Sequence, residues 1–155
     1  WLEEVYKTAT ISNPRFCRMK RMEAEICKIA YNCFLTTKVS FANMIGDIAI
    51  SSGLSPEPIL NAIGSSDKVG HKYLGYGFGY GGPCFPRDNK AFVSMGDNLG
   101  VKTDLAKATD NINDYQTKRL LNLIKSFAPK GSIISILGIA ELSIFYLIYH
   151  FIYYL

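Results

Sequence analysis

The sequence has few of the residues that mark several common classes of protein. Its four cysteines form no Cys-x-x-Cys pair and lie near neither of the two histidines, which argues against a zinc site. It has no run of five like charges, so a nucleic-acid groove is not indicated. Residues 1–4, Trp-Leu-Glu-Glu, are too acidic for the start of a signal peptide, and a reducing, cytoplasmic compartment with free thiols is therefore expected.

The 155 residues are 48% apolar and 19% charged, which excludes the disordered and low-complexity classes. This length provides room for about one domain. The charge is uneven: residues 131–155 contain a single charged residue, Glu141, so the first 130 residues carry +5 of the formal charge. That modest surplus suits a small polyanionic ligand better than a nucleic acid.

Apolar residues recur at three- and four-residue steps along residues 22–51, which predicts a helix roughly 45 Å long. A helix of this length is typical of one that spans two domains or carries a dimer interface. Further helices are predicted from Ser55-Pro56, over 87–99 and over 103–127. The β-branched run 132–138 predicts a short buried strand.

The C-terminal residues are almost entirely apolar. From Ile133 to the end they number 23, nominally enough to span a bilayer. Polar residues such as Glu141 and His150 interrupt the run, and no basic residues follow it. A strand followed by an unmatched tail is the favoured interpretation, and a tail-anchored membrane protein is the alternative.

More than half of the glycines fall in residues 64–86, a loop of some twenty residues, and a loop that long is usually functional. Gly77, Gly79 and Gly82 match Gly-x-Gly-x-x-Gly, but no strand precedes them, so the match is not a dinucleotide fingerprint. The prolines at 83 and 86 indicate that the next helix starts only near Arg87. We expect a ligand loop, in which glycines admit a close approach to the backbone and aromatic faces meet a sugar or base.

Cys84 lies just before this helix, where the helix dipole and a cation such as Arg87 would stabilise a thiolate. Asp88 follows one turn later and could position water or hold a proton. From the residues alone, Cys84 is either a nucleophile or an inert buried thiol. Cys17, Cys27 and Cys33 lack this context and are expected to pack in the interior.

Lys28 and Asn32 stand four residues apart on the long helix and so share a face. An ammonium and an amide that point to one place could stabilise charge on a developing oxyanion. A solvated lysine beside a polar neighbour is the alternative.

The segment 23–41, Glu-Ala-Glu-Ile-Cys-Lys-Ile-Ala-Tyr-Asn and onward to Phe, resembles the central-domain helix of the UDP-glucose/GDP-mannose dehydrogenase family. The segment 77–88, Gly-Phe-Gly-Tyr-Gly-Gly-Pro-Cys-Phe-Pro-Arg-Asp, resembles that family's active-site cysteine loop. The segments 111–116 and 133–138 resemble a later helix of the family and the first strand of its third domain. The resemblance covers roughly residues 2–139.

The resemblance implies a cytoplasmic, NAD-dependent enzyme that oxidises the C6 alcohol of a nucleotide sugar to a carboxylate, with UDP-glucose favoured. It implies a mainly α fold, with an all-helical dimerisation domain like the C-terminal domain of 6-phosphogluconate dehydrogenase. Residues 1–21 would end the NAD-binding domain, 22–127 would form the central domain, and 131–139 would begin the UDP-binding domain. The homodimer would form through the helix of residues 22–51. Residues 140–155 match nothing in the family.

The resemblance also implies roles for particular residues. Cys84 would attack the aldehyde, Lys28 and Asn32 would stabilise oxyanions and contact substrate, and Asp88 would assist as acid or base or would orient water. Arg87 would lie near the cofactor, and no metal is implied. The remaining substrate-binding residues would be Lys68, Tyr73, Leu74, Gly75, Tyr76, Gly77 and Gly81.

The strand–glycine–helix unit of the family's NAD-binding domain does not occur in this sequence. The chain by itself is therefore expected to reduce no NAD. A non-catalytic dimerisation module that pairs with full-length subunits is the alternative.

Overall fold

The structure, a computed structural model, describes residues 1–12, 14–128 and 130–134. These residues form five helices and no strand, which confirms the mainly α fold. The helices are α1 (Leu2–Ala9), α2 (Arg21–Ser51), α3 (Pro56–Gly64), α4 (Phe85–Leu99) and α5 (Asp104–Phe127). Most of the strand predicted at 132–138 and all of the tail 140–155 lie outside the described residues.

The predicted long helix is α2, about 46 Å from end to end. At its start the Glu23 carboxylate accepts the backbone N–H of Lys20 at 2.7 Å, so one donor without an intrahelical partner is satisfied. It ends before Gly53, whose φ of +71° turns the chain out of the helix. Ser55 and Pro56 then begin α3 as predicted.

Helix α4 begins at Phe85, so the prediction of a start near Arg87 was wrong by two residues. Pro86 lies in the first turn, where backbone N–H groups have no intrahelical partner and a proline costs nothing. Cys84 is therefore the N-cap residue. The helix ends at Gly100, whose φ of +69° suits glycine.

Helix α2 is the centre of the fold and packs against α3, α4 and α5, while α4 and α5 also contact each other. Its buried face is lined by small and polar residues: Thr36, Ser40, Ala42, Asn43, Gly46 and Ala49. One apolar cluster has Ala42, Leu60 and Leu74 as its buried members. Hydrogen bonds supplement this cluster; the Ser40 hydroxyl, for example, donates to the Thr109 carbonyl at 2.9 Å.

The opposite face of α2 carries an exposed apolar stripe, which consists of Tyr31, Phe34, Phe41, Met44 and Ile48. Their spacing places them on one side of the helix, away from α3, α4 and α5. Within the described residues α2 is also the helix whose length and hydropathy would suffice for a membrane span. Its other face packs on three helices, as in the core helix of a globular domain.

Helix α1 makes no contact with the other four helices. Arg18, in the segment before α2, donates to the Glu3 carboxylate at 2.8 Å. The domain boundaries at residues 21 and 127 remain predictions.

Candidate active site

The carboxylate of Asp88 is the centre of a charged cluster at the start of α4. The side chain is buried, and its Oδ2 accepts hydrogen bonds from Lys28 Nζ and, at 2.6 Å, from Asn32 Nδ2. Its Oδ1 accepts from Arg87 Nε at 3.0 Å. Lys28 and Asn32 are one turn apart on α2, so the shared face expected from their spacing is the face that meets α4.

These contacts determine the charge of the cluster. The hydrogen bond from Lys28 is the main cause that lowers the pKa of Asp88, and bonds from Asn32 and Arg87 act in the same direction against the effect of burial. The pKa of Arg87 is raised, first by Asp88 and to a smaller extent by the neighbouring Cys84 sulfur. Asp88 is therefore an anion at neutral pH, surrounded by donors.

Because the pKa of Asp88 is lowered on folding, its ionised form stabilises the fold above the unfolded pKa of about 3.9. This contribution is lost as the pH falls through the lower folded pKa. We expect D88N to be less stable at pH 7 by roughly 1.5–3 kcal/mol, the range for hydrogen bonds to a charged group. The difference should narrow below about pH 4 in urea unfolding curves.

The matched control is D67N, which neutralises an exposed carboxylate. Its unfolding free energy should follow that of the unsubstituted chain at every pH. A gap between D88N and the unsubstituted chain that stays constant down to pH 3 would contradict the assignment.

Cys84 is exposed, so it is not the buried thiol of the second interpretation, and its role as a nucleophile remains a prediction. As N-cap of α4 it lies at the positive end of the helix dipole. Its carbonyl accepts the backbone N–H of Asp88 at 2.8 Å, so the two residues lie on consecutive turns. An accessible sulfur beside Arg87 and above a buried cluster of donors has the surroundings of a nucleophile.

The other cysteines differ among themselves. Cys33 is buried as expected; burial raises the pKa of its thiol to about 11, and the Asp88 charge adds to this. Cys17 and Cys27 are exposed, so the expectation that they pack in the interior was wrong. Cys17 lies in the segment before α2, and Cys27 lies in the second turn of α2, where it is exposed.

Two asparagines that sequence reasoning missed hydrogen-bond to the backbone of the glycine-rich stretch 73–82, called the glycine loop from here on. Asn43 on α2 accepts the N–H of Gly77 and donates to the carbonyl of Phe78, both at 3.0 Å. Asn113 on α5 accepts the N–H of Tyr80 at 2.7 Å and donates to its carbonyl at 3.0 Å. A polar residue on the buried face of an apolar helix was the available signal for Asn43.

The predicted substrate-binding residues fall into three groups. Tyr73, with φ +63°, and Gly75 are exposed at the start of the glycine loop. Leu74 and Gly81 are buried, and the polar groups of Tyr76 and Gly77 bond within the chain. Lys68 lies on a separate turn of residues 66–70, whose carbonyls at 69 and 70 accept from Lys38 Nζ at 2.9 and 3.1 Å.

Comparison with known proteins identifies this arrangement. The model of the UDP-glucose/GDP-mannose dehydrogenase family, central domain, matches residues 22–115, which include α2, the glycine loop and the start of α5. The chain belongs to this family. Helix α2 and the loop that carries Cys84 thus both lie within the family's central domain.

Several relatives within the dehydrogenase family are similar over most of the chain. The UDP-glucose 6-dehydrogenase AglM of Haloferax volcanii is 35% identical over 129 residues, 83% of this chain and 30% of the relative. The UDP-glucose 6-dehydrogenase TuaD of Bacillus subtilis is 34% identical over 119 residues, 76% of this chain and 26% of the relative. The chain therefore spans less than a third of the length of these curated relatives.

A solved structure agrees with the fold. A UDP-glucose dehydrogenase from the hyperthermophilic archaeon Pyrobaculum islandicum superposes with a TM-score of 0.73 at 36% identity. The match covers 81% of this chain and 28% of that chain.

The dehydrogenase family is NAD-dependent, and the described residues fit this cofactor at one point. Arg87 is a cation beside Cys84 and Asp88, with a side chain 64% exposed and thus accessible to a dinucleotide. The residues that the structure describes contain no strand–glycine–helix unit and no cluster of three or more potential metal ligands.

Proposed function

We propose that this chain forms the cysteine half of the active site of a cytoplasmic nucleotide-sugar dehydrogenase that oxidises UDP-glucose to the uronate. One observation carries the proposal: exposed Cys84 caps the helix whose first turn holds Asp88 against Lys28 and Asn32. Relatives named UDP-glucose 6-dehydrogenase support the choice of substrate. Residues 22–127 would be the central domain, between parts of the NAD-binding domain (1–21) and the UDP-binding domain (131–139).

In this proposal Cys84 is the nucleophile. The C6 alcohol is first oxidised to an aldehyde, and the Cys84 sulfur adds to its carbonyl carbon to give a thiohemiacetal. A second oxidation gives a thioester, which water hydrolyses to the carboxylate and the free thiol. NAD, when bound, would accept one hydride in each oxidation. The exposed position of Cys84 leaves its sulfur open to the substrate carbon.

Lys28 and Asn32 would stabilise the oxyanion that forms when sulfur or water attacks. Each now donates to the same oxygen of Asp88, but an ammonium has three N–H bonds and an amide has two. One hydrogen bond from each to Asp88 leaves a further N–H for the substrate oxygen. The Lys28 side chain is 56% exposed, so its remaining hydrogens are accessible. Donors already held in place need little reorganisation as charge develops.

Asp88 would hold Lys28 and Asn32 in place and would orient the hydrolytic water. Its donors keep it ionised despite its burial, so it acts as an acceptor near neutral pH. Arg87, which bridges Asp88 and Cys84, would contact NAD. The sugar nucleotide would lie along residues 73–77 and Gly81, and its diphosphate would face Lys68.

The proposal predicts that UDP-glucose shields Cys84 from iodoacetamide. Saturating UDP-glucose should slow the alkylation of Cys84 at least about tenfold, while Cys17 and Cys27 serve as internal controls whose rates stay constant. Cys33 should stay unlabelled until the chain unfolds, because it is buried. Peptide mass spectrometry measures all four rates.

A parallel measurement with GDP-mannose tests the choice of substrate. Protection by GDP-mannose without protection by UDP-glucose would reassign the nucleotide sugar. No protection by either would refute the proposed function.

The proposed homodimer would form through the apolar stripe of α2. Phe34, Phe41 and Ile48 follow one another at seven-residue intervals, and the side chains of Phe34 and Ile48 are 63% and 59% exposed. A stripe of this kind can pack against its symmetry mate in a second copy. Burial of large apolar side chains is the main source of affinity in such interfaces.

Two aspartates placed in the stripe should separate the dimer. F34D/F41D is expected to raise the dimer Kd by at least roughly thirtyfold, equivalent to about 2 kcal/mol, in analytical ultracentrifugation. The matched control is I50D, which adds a charge at an exposed apolar residue of α2 outside the stripe and should leave Kd unchanged. A double variant that still sediments as a dimer would show that the interface lies elsewhere.

A further inference from the structure

The side chain of Arg119 on α5 contacts both the backbone and a side chain of the glycine loop. Its Nη1 donates to the Tyr76 hydroxyl and its Nη2 to the Gly77 carbonyl, both at 2.6 Å. The guanidinium carbon lies 4.8 Å from the centre of the Tyr76 ring. One side chain thus holds both the side chain and the backbone of the stretch proposed to bind the sugar nucleotide.

Arg119 is itself held in place from two sides. Its Nε donates to Gln116 Oε1 at 2.6 Å and lies 3.4 Å from Asp47 Oδ1. Gln116 in turn donates to the other oxygen of Asp47 at 2.8 Å, and Tyr76 donates to Asp47 at 3.0 Å. Since α2 supplies Asp47 and α5 supplies Gln116, the guanidinium has a fixed position between two helices before it meets the loop.

The backbone of Gly77 is hydrogen-bonded on both sides, at its N–H and at its carbonyl. Arg119 holds its carbonyl, and Asn43 accepts its N–H at 3.0 Å. Its φ of +155° is a conformation that side-chain-bearing residues rarely adopt. Three residues earlier, Leu74 is anchored in the apolar core. The exposed backbone at Gly75 is therefore held at both sides, with open space where a ligand can approach.

We propose that Arg119 is a positioning residue: with Asn43 it holds the backbone of residues 75–77 in the shape that binds the nucleotide sugar. This inference rests on the proposed function, because it assumes that the ligand lies on this stretch. Each of the three nitrogens of Arg119 donates a hydrogen bond within the chain, and in this proposal Arg119 acts on the ligand through the loop. A loop ordered before binding loses less conformational freedom when the ligand arrives.

The test uses the full chain and measures the concentration of UDP-glucose that halves the alkylation rate of Cys84. R119A should raise this concentration by at least about tenfold, because part of the binding free energy must then order the loop. R119K keeps the charge but cannot bond Tyr76, Gly77 and Gln116 together, and should fall in between. Millimolar guanidinium chloride should restore R119A towards normal, whereas sodium chloride of equal ionic strength should not. K118A removes an exposed charge one residue away and should leave the concentration unchanged.

The outcomes separate the two proposals. If UDP-glucose fails to protect the unsubstituted chain, the proposed function fails and this inference with it. If the unsubstituted chain is protected and R119A is protected at the same concentration, the positioning role is refuted while the proposed function stands. A lower melting temperature with unchanged protection would show a merely structural role and would also refute it. If R119A does not fold, the half-protection concentration of R119K tests the positioning role instead.

Discussion

Replacement of Cys84 by serine should lower kcat for NADH formation from UDP-glucose by at least about 10³-fold. The measurement uses a chimera in which residues 22–127 of this chain replace the aligned segment of Bacillus subtilis TuaD, which is 34% identical over 119 residues. A serine hydroxyl is a much poorer nucleophile than a thiolate at neutral pH. Addition to the aldehyde would therefore be blocked.

The chimera also distinguishes the nucleophile from a binding residue. The first oxidation does not involve the sulfur, so C84S should accumulate aldehyde that hydroxylamine traps, with its KM for UDP-glucose little changed. The control is C27S in the same chimera, since Cys27 is exposed in the second turn of α2 and should be replaceable without loss. A C84S chimera that keeps a kcat within tenfold of the parent would exclude the nucleophile assignment.

Substitution of Gly46 by alanine should destabilise the fold by about 2 kcal/mol. A Cβ at this position would lie 1.9 Å from the ring of Tyr76, far inside contact distance. The ring cannot easily move away, because its hydroxyl is bonded to Asp47 and Arg119. Alanine within a helix is otherwise favoured over glycine by about 1 kcal/mol, so a loss of stability would oppose the intrinsic preference.

Urea unfolding of G46A measures this effect. G75A is the matched control, because its new Cβ would meet nothing within 4 Å, and its free energy of unfolding should change by less than about 0.5 kcal/mol. Stabilisation of G46A would mean that Tyr76 does not pack against α2 as described.

Much of the helical framework could be predicted from the sequence because its signals are local. Three- and four-residue spacing marks α2, and Ser55-Pro56 marks the start of α3. The prolines at 83 and 86 predict a start of α4 two residues too late, because the first turn of a helix accepts a proline.

The parts of the site that depend on residues close together in the sequence could be predicted. Lys28 and Asn32 are one turn apart and Cys84 and Asp88 are one turn apart, so each pair follows from helix geometry. That the two pairs meet at one carboxylate depends on the packing of α2 against α4, across 56 residues of sequence between Asn32 and Asp88. Resemblance to a family indicated this meeting, whereas periodicity could not.

The supports of the glycine loop were missed for a related reason. Asn43, Asn113 and Arg119 each act on the loop from 33 to 43 residues away, and none belongs to a motif with a chemical role. Polar residues on helix faces are most often solvated, so beyond the position of Asn43 on the buried face of α2 the sequence offers little to set Asn113 and Arg119 apart.

The two asparagines have a consequence for how this loop could change over evolution. Asn43 and Asn113 each pair with both an N–H and a carbonyl, as a neighbouring strand would in a sheet, so the shape of the loop is encoded in the helices outside it. The exposed rings of Tyr73 and Phe78 carry none of these backbone contacts. Substitutions at Tyr73 and Phe78 could thus change which ligand this surface recognises while the backbone of the loop keeps its shape.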